Sequence, residues 1–184
     1  MKPITLAFFL FFSFVLFAQT FTRGHYVDLE GQRHEGAVAY QLNQDHFLYK
    51  EKSNAPATKL QADEVQRFSW GVDTFAVVLG KFARVVIGQG PVRLYERRKL
   101  SQRPGLKPIV GETLQGHMSL QRDYLLARAG GGEPIEVEWK EKKFKRQMSE
   151  FFADTPTLVE RINAGEFEPG EVVKLVRAYE EAGE

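Results

Sequence analysis

Cysteine is absent from this 184-residue chain. Disulfides, thiolate-ligated zinc or iron–sulfur sites and a thiol nucleophile are therefore excluded. A surplus of charge of either sign is also absent, with 25 Lys and Arg against 24 Asp and Glu. That balance argues against nucleic acid as the partner and against an acidic disordered tail. Motifs that announce chemistry are missing too. There is no G-x-S-x-G, no H-E-x-x-H and no complete phosphate-binding loop. The glycine clusters, Gly88-x-Gly90 and Gly130–Gly132, lack a following helix and read as turns. What remains is 43% hydrophobic and 27% charged, the composition of a globular domain.

Aromatic residues are unevenly spread. Phe8, Phe9, Phe11, Phe12, Phe14 and Phe17 crowd the amino terminus, where Lys2 is the only charge. Leu6–Ala18 is apolar apart from Ser13. At about 13 residues this run is shorter than the ~20 of a membrane-spanning helix. A positive start, a short apolar stretch and a small residue at its end predict a secretory signal peptide over residues 1–18, cut after Ala18, with an uncleaved membrane anchor as the rival reading. Removal takes away Lys2 and leaves a chain of zero formal charge with no transmembrane segment.

Residues 19–138 predict a β-rich domain. Short extended stretches at His25–Leu29, Glu35–Gln41, Asp45–Lys50, Lys59–Ala62 and Val65–Trp70 alternate with polar turns. Val72–Leu79 and Phe82–Ile87 carry the strongest strand signal, rich in β-branched and aromatic residues, and Gly80-Lys81 between them predicts a type II′ hairpin. Val92–Glu96, Lys107–Glu112, Met118–Leu120, Tyr124–Arg128 and Pro134–Glu138 follow, with a polar loop over Arg97–Lys107. About nine to eleven short strands at this spacing predict a mainly β (α+β) fold, an antiparallel sandwich or barrel-like sheet.

Beyond Glu138 the period changes. Phe144, Met148, Phe151 and Phe152 share one helical face. Thr155-Pro156 starts a second helix with the stripe Leu158, Val159, Ile162, ended by Gly165. Glu168-Pro169 starts a third, with Val172, Leu175, Val176 and Tyr179 inward. Residues 139–184 thus form a helical extension that must pack on the β domain or on a partner, because such short helices are not stable alone. Leu60–Phe68 (LQADEVQRF), Asp123–Arg128 (DYLLAR) and Phe144–Gly165 (FKRQMSEFFADTPTLVERINAG) are placed as in a functionally uncharacterised group of exported Bacteroidetes proteins. The chain resembles that group, and Ala18-Gln19 looks like the cleavage sites of that phylum. The resemblance implies export and a β body with a helical tail, and no activity.

Candidate chemistry is dispersed. The histidines are His25, His34, His46 and His117. A two-residue turn at Glu30-Gly31 would set His34 opposite Val27 and His25 opposite Gly36; with Glu35 these two could supply some ligands of a zinc site, but no metal-binding spacing supports it and they read as solvent-facing edge residues. Glu136 and Glu138 would share a strand face about 7 Å apart, a spacing open to a glycosidase, though alternating surface charges explain it equally. Other carboxylates (Asp63, Glu64, Asp73, Glu112, Asp123, Glu133) show no pattern. Tyr40, Tyr49, Trp70, Tyr95 and Trp139 are candidates for an aromatic platform for sugars or peptides, with core packing as the default. Lys140, Lys142, Lys143, Lys145 and Arg146 bring five positive charges to the start of a helix, where the dipole opposes them. They form either a solvated face or a contact for anionic surfaces.

These features predict an exported periplasmic or cell-surface protein without metal, cofactor or assignable catalytic residue. The leading expectation is a non-enzymatic module binding a protein or glycan of the envelope. Two alternatives are a hydrolase with a dispersed Asp/Glu/His/Ser site and a module held on anionic envelope surfaces through Lys140–Arg146.

Overall fold

The computed structural model describes residues 20–42, 44–102 and 118–183. The expected signal peptide, the strand expected over Lys107–Glu112, and His117 lie outside the described residues. The fold is mainly β: one open antiparallel sheet of ten strands followed by three helices. The strands are β1 (Thr22–Asp28), β2 (Arg33–Tyr40), β3 (His46–Lys50), β4 (Thr58–Gln61), β5 (Val65–Trp70), β6 (Asp73–Val78), β7 (Lys81–Ile87), β8 (Val92–Gln102), β9 (Met118–Arg128) and β10 (Ile135–Glu136). Their order across the sheet is β10-β9-β8-β7-β6-β5-β1-β2-β3-β4.

Although open in hydrogen bonding, the sheet rolls on itself. Phe47 on β3 and Phe82 on β7 stand five strands apart in the sheet order. A flat sheet would separate them by about 24 Å; their ring centroids are 5.7 Å apart. Within the roll, backbones approach closely at Gly24 and Gly36, which face each other across β1 and β2. A Cβ on Gly24 would overlap the Ser69 carbonyl oxygen, and one on Gly36 the Lys50 carbonyl oxygen. Only glycine lets neighbouring backbones approach so closely. The roll encloses an aromatic core. Phe68 stacks on Phe47 at 4.3 Å and on Phe75 at 4.9 Å, and meets Phe82 edge-on at 4.9 Å.

A second core lies on the same face of the sheet. In register, Phe75 opposes Arg84, Arg84 opposes Glu96, and Glu96 opposes Tyr124. Tyr124, with Val92, Leu94, Leu126 and Val137, joins the apolar stripes of α1 (Glu141–Phe151), α2 (Pro156–Asn163) and α3 (Val172–Ala182) in one buried cluster. The helices therefore dock on β8, β9 and the residue after β10. A 3-10 turn at Pro169–Glu171, with a reciprocal cap between Glu168 and Glu171, leads into α3. Arg128 clamps the assembly: it donates to Asp154 at 2.8 Å, to the Tyr179 hydroxyl at 2.7 Å and to the Phe151 carbonyl. No described helix is long and apolar enough to cross a membrane.

Three local expectations are corrected. Arg97–Gln102 is strand, not loop: β8 and β9 pair continuously from Val92↔Arg128 to Gln102↔Met118, and Met118–Leu120 and Tyr124–Arg128 belong to one strand. Cross-strand ion pairs, such as Lys99 Nζ to Asp123 at 2.5 Å, let a polar run lie in a ladder. The β1–β2 connection is longer than two residues, with Gln32 N–H donating to the Asp28 side chain at 2.7 Å and Gly31 N–H to the Asp28 carbonyl. The register moves by one residue, so Tyr26 opposes His34 and His25 opposes Glu35. A one-residue shift exchanges faces; His34 is stacked on Tyr26 inside the roll at 4.5 Å instead of lying on a solvent edge. Finally, the β6–β7 turn is Leu79-Gly80, both with positive φ (52° and 70°), which is type I′ geometry.

Candidate functional site

Between the two cores the shared face is charged, and there it opens into a cavity of about 880 Å³. This volume falls within the range of small-ligand sites. Tyr40, Leu42, Gln44 and Asp45, from the end of β2 and the chain leading to β3, form one wall. Trp70 stands beside Tyr40 on that wall, and Phe75 and Phe82 form the floor. The opposite wall is β7 and β8, with Arg84, Glu96 and Arg98, bounded by Asp73 and Lys81.

Glu96 anchors the charged wall. It continues the inward alternation of Val92 and Leu94, and is 2% exposed. Oε2 accepts from Arg84 Nε at 2.8 Å, from Arg84 Nη2 and from Arg98 Nη2 at 3.2 Å. Oε1 accepts from Arg98 Nε at 3.1 Å and lies 3.5 Å from Arg122 Nε. Arg84 Nη1 also donates to Asp73 at 3.2 Å. Burial opposes ionisation of Glu96, but the hydrogen bonds from Arg98 and Arg84 outweigh it and hold its pKa below the ordinary carboxylate value. A carboxylate so saturated is poorly suited to shuttle a proton near neutral pH. It instead fixes the planes of the guanidiniums that border the cavity.

The aromatic wall is chemically unlike the rest of the core. Burial alone pushes the Tyr40 phenol up to about 12. Its hydroxyl has no hydrogen-bond partner among the described residues, in contrast to Tyr49, whose hydroxyl donates to the Glu35 carbonyl at 2.6 Å. Trp70 lies edge-on to Tyr40, centroids 6.2 Å apart. Its Nε1–H is buried without an acceptor among the described residues.

The remaining sequence candidates fall elsewhere. Of the aromatic candidates, Tyr40 and Trp70 line the cavity. Tyr49 packs in the rolled core, Tyr95 belongs to a small cluster on the opposite face, and Trp139 is exposed beside Tyr124. Glu136 and Glu138 each face a cation, Glu136 meeting Arg97 at 2.6 Å and Glu138 meeting Lys143 at 3.4 Å, and neither lines the cavity. The basic run lies on α1 and its approach. Lys145 bridges to Glu141 at 2.9 Å and Lys143 to Glu138, while Lys140 is exposed at the N-cap and Lys142 and Arg146 are exposed on the side opposite Phe144 and Met148. Three histidines have polar partners: His34 meets Asp28 at 2.7 Å, His46 meets Asp45 at 3.1 Å, and His25 Nδ1 meets Ser69 Oγ at 2.7 Å. Burial holds the His25 pKa down, suiting a neutral ring that accepts the Ser69 proton. Ser69 Oγ also accepts the His25 backbone N–H at 2.9 Å, and neither residue lines the cavity. No group of three or more potential metal ligands occurs among the described residues.

Sequence inspection passed over Glu96 and Arg84, and placed Arg98 only in a basic run, Arg97-Arg98-Lys99, at the start of the expected polar loop. One signal was available: in VRLYE the inward parity set by Val92 and Leu94 lands on a glutamate. Charge at a position patterned for the core marks either a satisfied network or a site. Comparison with protein-family models, with curated proteins and with solved structures gave no match to this chain.

Proposed function

We propose that the protein is an exported, non-enzymatic binding module of the cell envelope that takes a glycan into the cavity between the Tyr40–Trp70 wall and the Arg84–Glu96–Arg98 wall. The observation that carries this reading is the juxtaposition of aromatic surface with fixed, bidentate polar groups. Sugar rings present apolar C–H faces and a rim of hydroxyls, so they match stacking surface on one side and planar donors and acceptors on the other. Saturation of Glu96 by arginine supports binding in place of acid–base turnover. The signal-like segment 1–18 and the resemblance to exported Bacteroidetes proteins support the placement.

The test is a titration of the full chain with a panel of neutral and acidic oligosaccharides, read by tryptophan fluorescence and by product analysis. Saturable binding that disappears in Gln44→Trp, which fills the cavity mouth, is expected, with the sugars recovered intact. Cleavage of any member would overturn the non-enzymatic reading, and absence of saccharide binding would overturn the glycan.

A further inference from the structure

The unengaged groups around the cavity are not evenly divided between donors and acceptors. Both oxygens of Glu96 are occupied by guanidinium groups, and Asp73 gives one oxygen to Arg84. Asp45 is shared with His46 on the rim. Among donors, the Tyr40 hydroxyl has no partner among the described residues, and Lys81 has no ion-pair partner among them. Arg84 offers five N–H groups. Glu96 takes Nε and one N–H on Nη2, and Asp73 takes one on Nη1, so both terminal nitrogens keep an N–H. Arg84 is 27% exposed, so these donors are within reach of a molecule in the cavity. A hydroxyl, an ammonium and a guanidinium edge thus border one space, and the carboxylate best placed to compete for them is already saturated.

Resting on the glycan reading, we infer that the sugar is acidic: a carboxylate-bearing unit whose charge lies against Arg84 and Lys81, whose acceptor oxygens take the Tyr40 hydroxyl, and whose ring packs on the aromatic floor. Arg84 binds a carboxylate through its planar edge, and Glu96 holds that edge in place beforehand, so little rotamer entropy is lost on binding. Lys81 contributes as a mobile point charge. Arg97 and Lys99 also border the cavity, but Glu136 and Asp123 already occupy them, so they discriminate less.

The experiment is calorimetry on the full chain with three probes of matched length: oligogalacturonate, its methyl ester and a neutral galacto-oligosaccharide. The ester keeps the ring and removes the charge. The acid is expected to bind at least tenfold tighter than the ester, an advantage of about 1.4 kcal/mol, and to weaken as salt is raised. Lys81→Met should reduce the affinity for the acid several-fold, and by clearly more than it reduces that for the ester. Tyr40→Phe should weaken the acid while the thermal midpoint stays within a few degrees, separating recognition from folding. Equal binding of acid and ester, abolished in both cases by Gln44→Trp, would overturn the acidic assignment and leave the glycan reading standing. Acid binding indifferent to both Lys81→Met and Gln44→Trp would place the anion elsewhere and overturn the inference. Binding of none of the three would remove the glycan reading, and the inference with it.

Discussion

Replacing Glu96 by alanine tests whether the charged wall is one preorganised unit. The substitution leaves Arg84 and Arg98, 27% and 28% exposed, without their shared counter-ion. Removing one partner of a buried ion pair costs roughly 3–5 kcal/mol. Partial access of water to both arginines places this case at the lower end, about 3 kcal/mol. For a domain of this size each kcal/mol moves Tm by about 2–4 °C. The expected fall is therefore about 6–12 °C, by circular dichroism at neutral pH, with a matching shift in the urea midpoint. Glu96→Gln keeps the shape and one acceptor but loses charge assistance, so it should fall by about half as much. The pH dependence has a definite sign. Glu96 has a depressed pKa in the folded state, so its stabilisation is complete above the ordinary carboxylate value and is lost as pH falls through the folded value. The difference in stability between wild type and Glu96→Gln should therefore shrink on acidification. A loss below about 1 kcal/mol for Glu96→Ala, the scale of a surface ion pair, would refute the reasoning.

Other substitutions probe the rest of the account. Leu79 holds a positive φ of 52° while 47% exposed, so Leu79→Asn should stabilise by about 0.5–1 kcal/mol, measured by urea unfolding. Gly36→Ala should destabilise the β1–β2–β3 turn of the roll by several kcal/mol, because the new methyl overlaps the Lys50 carbonyl and the Tyr49 ring; an unchanged Tm would remove glycine's role in that close approach. Phe68→Ala should cost about 3–5 kcal/mol, since Phe68 is fully buried among stacked rings. Arg128→Ala removes the guanidinium donor from the Phe151 carbonyl and leaves Asp154 to the Tyr179 hydroxyl, so hydrogen exchange should accelerate first in α1 and α3. The hydrogen bond from Arg128 holds the Asp154 pKa down, so the clamp is at full strength above the ordinary carboxylate range and weakens as pH falls below it.

Much of the architecture was legible because period and punctuation agree. Leu158 and Ile162 follow a helical stripe after Thr155-Pro156, and Phe68, Phe75 and Phe82 fall at inward positions of strands bounded by turn residues. What was not legible depended on partners distant in sequence. Arg97–Gln102 looks like a loop until Asp123 and its neighbours on β9 are placed opposite. The histidine faces turned on one residue of register, decided by the Asp28 side chain capping its own turn. The cavity could not be read from any single segment, because the β2–β3 connection meets β8 only once the sheet has rolled. Tyr40 and Trp70 were recognisable as aromatic candidates, yet nothing local distinguishes them from Tyr49 and Tyr95, which are core.

The most direct measurement of the central claim is an NMR shift map of the full chain titrated with oligogalacturonate. Perturbations concentrated at the Trp70 indole, Tyr40, Lys81 and Arg84, saturating together, are predicted. Shifts confined to Lys140–Arg146 on α1, or no saturable shift at the cavity residues, would contradict the claim that the space between the aromatic and arginine walls is the binding site.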